Sequence, residues 1–285
     1  MSVIARMRQS GFVSSALAAL TLIGSTMVDA AEPREPWPSK VRAIYRIDFN
    51  GFDIGTFEFN ADISGRNYTL TGDAQLSALL GAFKWRGLTH SSGTLVNGLP
   101  RPSGFGFDFS GTGKSGSVKM GFVGDGVTSL TREPALPDEP GTIPLALAHL
   151  KGVLDPLTAV MALSRTTAEN PCDRRLAVLD GKQRFDLVLS YNRQETVTES
   201  RPSGQPGLAF VCRVRYQPIA GHRMTDSMRA MTESTGIEVS LRPVPSANLF
   251  IPHQITVPTG LGSAILTSVR VDIVTPRNEQ IAFSY

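Results

Sequence analysis

The chain has 285 residues, 41% of them hydrophobic, enough apolar material for a real core. Its formal net charge is +3, and without residues 1–30, which hold Arg6, Arg8 and Asp29, it is +2. So small a surplus excludes a basic nucleic-acid face, which needs clustered cations; Arg174-Arg175 and Arg213/Arg215 are short and interrupted.

The chain opens with the basic residues Arg6 and Arg8, runs through an apolar stretch from Gly11 to Val28, and reaches the small-residue exit Val28-Asp29-Ala30 before Ala31. A basic start, an apolar middle and a small-residue end predict a secretory signal cleaved between Ala30 and Ala31, and hence a periplasmic protein. The apolar run is nearly long enough for an uncleaved anchor, but Ser14, Ser15, Gly24 and Ser25 loosen it. No cysteine near the exit offers a site for lipid attachment. The expected organisation is a signal peptide over 1–30, an N-terminal linker over 31–40 and one β-rich domain over 41–285, with no transmembrane segment in the mature chain.

Strand-like alternation begins with Val41, Ala43, Tyr45, Ile47 and Phe49 on one face. Asn50-Gly51 then predicts a hairpin, because both turn residues tolerate positive φ. Phe57, Phe59, Ala61 and Ile63 form the returning strand, followed by Tyr68, Leu70, Gly72 and Ala74 and a turn at Asn97-Gly98. Phe105, Phe107 and Phe109 line one strand face, answered by Val118, Met120 and Phe122 and a turn at Asp125-Gly126. The segment from Glu133 to Pro144, rich in proline and acidic residues, reads as a surface connection. It could divide two domains, but the strands on either side are alike in character.

Asp155 before Pro156 is an N-cap followed by proline at the first helical position, and predicts a short helix reaching Arg165. Asp180-Gly181 joins Leu176–Leu179 to Phe185–Leu189. Met224, Met228 and Met231 have helical spacing, although Thr225, Thr232, Ser234 and Thr235 weaken that expectation; a core-facing turn is the plainer reading of this stripe than a binding surface. Strand character resumes at Ile237–Leu241, Leu249–Val257 and Ala264–Val274. The expected fold is mostly β: an antiparallel curved sheet or barrel-like domain with one short helix packed on its concave face.

Cys172 and Cys212 are the only cysteines, and in an oxidising compartment an even pair predicts a structural disulfide. A redox pair or a zinc site would need closer spacing or further ligands. Gly111-Thr112-Gly113-Lys114-Ser115 resembles the end of a phosphate loop but has Asp108 where that motif needs glycine, with strands on both sides; it reads as a hairpin. His90, His149, His222 and His253 lack metal-ligand spacing, Asp173, Asp180 and Asp186 read as solvated, and no G-x-S-x-G elbow occurs. No catalytic, cofactor or metal residue is assigned. Ile281, Phe283 and Tyr285 resemble the last strand of an outer-membrane barrel, but Arg277 and Glu279 break the alternation and aromatics are only 7%.

Tyr45 with Ile54-Gly55, Asp155-Pro156-Leu157, Cys172, Asp180-Gly181 and Cys212 occur in order. Pro218-Ile219-Ala220-Gly221, Pro252, Val257-Pro258-Thr259 and Gly262 complete the set. With these the chain, from Tyr45 to Val274, resembles a proteobacterial exported family catalogued as domain of unknown function 3108. The resemblance implies a periplasmic β-rich protein and supplies no catalytic residues. The functional expectation is a non-enzymatic envelope protein that binds an apolar ligand (a lipid or envelope precursor) or a protein partner on the face bearing Phe105, Phe107, Phe109, Tyr45 and Phe57. The alternatives are an envelope-polymer hydrolase with a His/carboxylate site and an outer-membrane barrel.

Overall fold

A computed structural model describes residues 36–135, 140–166, 170–198 and 206–285. The expected signal segment, with Ala30 and Ala31, lies outside the described residues. Residues Arg34–Tyr285 form one compact unit.

The first seven strands form an antiparallel meander: β1 (Lys40–Phe49), β2 (Phe52–Ser64), β3 (Asn67–Ala78), β4 (Phe83–Val96), β5 (Leu99–Gly111), β6 (Lys114–Val123) and β7 (Gly126–Glu133). Two of its turns are those the Asx-Gly signals mark, at Asn50-Gly51 and Asn97-Gly98, while the turn expected at Asp125-Gly126 falls one residue earlier, at Gly124-Asp125. Asn50 and Gly51 both take positive φ, at 51° and 84°, the primed geometry that suits twisted strands. The phosphate-loop-like segment is the β5–β6 turn. After helix α1 (Pro156–Leu163) come β8 (Arg174–Leu179), β9 (Arg184–Thr198) and β10 (Pro206–Ala220), then helix α2 (Asp226–Glu233). The chain ends with β11 (Glu238–Val244), β12 (Leu249–Thr259), β13 (Gly262–Val274) and β14 (Gln280–Ser284).

All fourteen strands among the described residues join one curved sheet, in the order β7-β6-β5-β4-β3-β2-β1-β13-β12-β11-β10-β9-β8, with β14 beside the second half of β13. The pairing of β1 with β13 ties the two halves of the chain together. The sheet does not close. Its end strands, β7 and β8, are linked by the short segment Lys151–Leu154: Lys151 bridges to Gly126, and Leu154 pairs in parallel with Val178. Val153, between them, is 3% exposed and packs with Phe105, Met120 and Leu179.

Helix α1 lies against the inner face of the sheet, with Leu157 and Met161 in the cluster that holds Tyr45, Phe59 and Leu70. Asp155 caps it as expected, its Oδ1 accepting from the Thr158 N–H at 3.0 Å. The helix stops at Leu163, two residues short of the expected Arg165. A second helix is present as well, because Thr225 supplies a cap, its hydroxyl accepting from the Met228 N–H at 3.2 Å. Met228 and Met231 pack on the cluster around Val214 and Leu241, as a core-facing turn would, while Met224 precedes the helix and is exposed.

The structure joins Cys172 to Cys212, with Cα atoms 5.2 Å apart, inside that same cluster. Trp37, from the segment expected as a linker, is instead a core residue; its Nε1–H donates to the Gly98 carbonyl, and the Arg165 guanidinium lies 4.6 Å from its ring centre. Ile281, Phe283 and Tyr285 also pack inward onto the core, the opposite of a lipid-facing barrel strand. Among the described residues, no helix is long and apolar enough to cross a membrane.

Candidate functional site

The residues of β5 that alternate inward do not all end up covered. Phe105 is 4% exposed beneath Val153 and Met120, whereas Phe107 and Phe109 are only half-buried. Tyr45, at the far side of the same face, is covered by the core around α1, with Phe57 half-buried against it. The helix therefore shields one part of the concave face and leaves the β4–β6 part open.

In that open part lies a pocket of about 390 Å³. Its apolar wall is Phe105, Phe107, Phe109 and Val118, with Pro156 at the start of α1 and Thr89 on β4. Its charged lining comes from both ends of the sheet: Arg132 and Glu133 from β7, Asp180 and Lys182 from the β8–β9 turn. That turn reaches across because Gly181 takes φ +94° and a side chain there would collide with Val118 on β6. The pocket is thus a product of the near-closure of the sheet.

The aromatic wall continues beyond the pocket. The rings of Phe109 and Phe107 are stacked 5.6 Å apart, and Trp85 follows 6.3 Å from Phe107. Glycines make room for these rings: a Cβ on Gly111 would stand 2.8 Å from the Trp85 ring, one on Gly116 2.9 Å from the Phe109 ring, and one on Gly87 would overlap Trp85 outright. Trp85 also lines a broader, more polar depression of about 860 Å³ with Leu76, Lys84 and Arg86.

Beside the pocket base sits a buried polar network. Asp155 is fully buried; its Oδ2 accepts from the Ser91 hydroxyl at 2.9 Å, and Thr158 Oγ1 lies 3.0 Å from Ser91 Oγ and 3.1 Å from the Tyr68 hydroxyl. Burial raises the Asp155 carboxyl above the usual aspartate range, against the hydrogen bonds from Thr158 and Ser91 that lower it. The Tyr68 hydroxyl is likewise raised, mainly by burial. The sequence identifies Asp155 as a cap but not its partner Ser91 on β4, nor the Tyr68 of β3 that bonds Thr158, both more than sixty residues away.

The histidines do not assemble the His/carboxylate site of the hydrolase alternative: among the described residues, none is hydrogen-bonded to a carboxylate. His90 is exposed, its ring lying over Gly106. His149 Nδ1 accepts from the Ala146 N–H, and His222 is buried with Nδ1 lacking a hydrogen-bond partner. His253 Nδ1 is 2.9 Å from Ser268 Oγ, a pairing with no signal in the sequence. Burial lowers the His253 pKa, opposed by the Glu195 carboxylate and aided by Arg242. Ser268 is fully buried, however, so its hydroxyl is not presented to a substrate. Asp173 is exposed at its loop, Asp180 accepts from the N–H groups of Lys182 and Gln183, and Asp186 is paired with Arg184 at 2.6 Å. No group of three or more His, Cys, Asp or Glu among the described residues is placed to hold a metal ion.

A solved structure, a β-barrel-like protein of domain of unknown function DUF1849 from Brucella abortus, aligns with a TM-score of 0.47 at 11% identity, covering 84% of this chain and 98% of that one. No curated protein matches the chain. The family described as Protein of unknown function (DUF3108) matches residues 44–267, well over half of the sequence, and the chain belongs to that family.

Proposed function

We propose that the mature protein works outside the cytoplasm, in the periplasm, as a non-enzymatic binding protein that holds an apolar ligand in the pocket walled by Phe105, Phe107 and Phe109. The observation that carries this reading is the half-buried Phe107–Phe109 pair facing a pocket of about 390 Å³. A folded chain normally covers such rings, and cavities of roughly 300–1,000 Å³ with an apolar wall and a few polar groups are the usual form of small-molecule sites. The compartment rests on the basic–apolar–small pattern of residues 1–31 and on the Cys172–Cys212 bond, which persists in oxidising surroundings.

Native mass spectrometry of the protein purified from its own compartment, before and after solvent extraction, tests the reading. The expected result is a mature chain starting at Ala31 that carries an extra mass removed by extraction, and much less of it in Phe107→Glu. A bare mass in both samples, or an adduct unchanged by Phe107→Glu, would overturn the assignment of this pocket.

A further inference from the structure

We infer that one rim of the sheet seats the mature protein on the surface of a lipid bilayer, with Phe52, Leu79 and Leu261, at the tips of three hairpins, entering the headgroup layer. The inference goes beyond the pocket reading and does not rest on it. In the strand order β6-β5-β4-β3-β2-β1-β13-β12 every second turn falls at the same rim, so the β5–β6, β3–β4, β1–β2 and β12–β13 turns stand side by side. Two of them are tied together: Asn50 Nδ2 donates to the Leu261 carbonyl at 3.0 Å, and Asn50 Oδ1 accepts from the Ser263 N–H at 3.0 Å. Three of the turns carry a large apolar side chain that the fold leaves uncovered: Phe52 is 74% exposed, Leu79 80% and Leu261 86%. Phe83, paired with Ala78 across the β3–β4 turn, is exposed as well. Single exposed apolar residues are common, but three on neighbouring turns of one rim mark a contact surface.

The backbone at Leu79 supports this. Its φ is +53°, in the left-handed region that favours glycine or asparagine and costs a leucine stability. The other non-glycine residues with positive φ among the described residues are Asn50, Asn97, Asn248 and Asn278, all asparagines. Neither packing nor conformation accounts for a leucine at this tip. The occupant follows from the layout. Turns two strands apart are separated by roughly 10 Å, and side chains so exposed do not cover one another. They therefore do not form the close-packed centre of a protein interface, whereas a fluid bilayer admits each tip separately. Lys84 and Lys114 are exposed beside these turns and make no ion pair among the described residues. They outnumber the one carboxylate there outside an ion pair, Asp53, which suits a headgroup layer containing anionic lipid.

The test uses the full mature chain with vesicles of phosphatidylcholine, alone or mixed with phosphatidylglycerol. Co-sedimentation gives the bound fraction, and sedimentation velocity without vesicles gives the oligomeric state. The chain is expected to bind both vesicles, the mixed ones more tightly. Phe52→Ser/Leu261→Ser is expected to lower the partition by roughly tenfold. Leu79→Asn separates docking from folding, because it is expected to lower the partition while raising the melting temperature. Val123→Ser, at the opposite rim and 72% exposed, is expected to leave the partition unchanged. Lys84→Ala/Lys114→Ala is expected to remove only the preference for the mixed vesicles. A chain that stays in the supernatant with both vesicles would overturn the inference. So would unchanged binding by Phe52→Ser/Leu261→Ser, or an equal loss in Val123→Ser. A native dimer that Phe52→Ser/Leu261→Ser splits, with no vesicle binding, would assign the rim to a second copy of this chain and overturn the inference as well.

Discussion

Replacing Asp155 separates its role as a cap from its cost as a buried acid. The carboxyl is fully buried, accepts from the Thr158 N–H and the Ser91 hydroxyl, and titrates above the ordinary aspartate range because burial disfavours its charge. The folded state therefore binds the proton more tightly than the unfolded chain. Stability from this group is full below the unfolded pKa, near 4, and falls as pH rises through the higher folded value. Asp155→Asn keeps an acceptor for Thr158 and removes the ionisation, so it should match the native protein at pH 4 and exceed it at pH 8. Asp155→Ala loses the cap, which is its bond from the Thr158 N–H and is worth about 1 kcal/mol, and leaves the buried Ser91 hydroxyl without its carboxylate acceptor, for about 2 kcal/mol in all at pH 4. Its deficit should shrink toward pH 8. Urea unfolding of the three proteins at pH 4, 6 and 8 reads these differences directly, since titration elsewhere cancels between variants. If Asp155→Asn were less stable than the native chain by more than about 1 kcal/mol at pH 8, the carboxylate would be ionised and favoured by its donors, and the reasoning would fail.

Other outcomes follow from single features. Cys172→Ala/Cys212→Ala should lose about 4 kcal/mol in denaturant unfolding, the chain-entropy value for a link across 40 residues, and the native protein should show the same loss under reductant. Gly181→Ala places a side chain at φ +94° against Val118, so it should cost about 1–2 kcal/mol and weaken ligand binding by displacing the β8–β9 turn from the pocket, measured by thermal melts and titration with dodecanoate. The His253 pKa is lowered in the folded state, so the unfolded chain takes up the proton first as pH falls below about 6.5. Stability is thus lost on acidification through that range, and His253→Asn should flatten the loss.

The strands were legible because one-faced burial writes itself as alternation. Val41 to Ile47 and Phe57 to Ile63 show it plainly, and Asn50-Gly51 fixes the hairpin between them. The Phe105–Phe109 stripe was legible for the same reason, although nothing local distinguishes the covered Phe105 from the open Phe107. That difference comes from Val153 and the β8–β9 turn, which arrive from about fifty to seventy-five residues along the chain. The charged lining was hidden likewise: Arg132 and Lys182 are ordinary surface residues until the two ends of the sheet approach. Helix α2 was underestimated because its threonines count against a helix interior, while Thr225 acts at the end as a cap. The Ser268–His253 pair is joined by a register, not by a motif.

The claim at the centre of this account is that the pocket walled by Phe105, Phe107 and Phe109 is where the ligand lies. Photo-crosslinking with a diazirine-bearing fatty acid, followed by peptide mapping, locates it directly. The account predicts label on the segment carrying Phe105–Phe109, displaced by unlabelled dodecanoate and lost in Phe107→Glu. Label confined to α2 and the Val214–Leu241 cluster, or spread without competition over the surface, would contradict it.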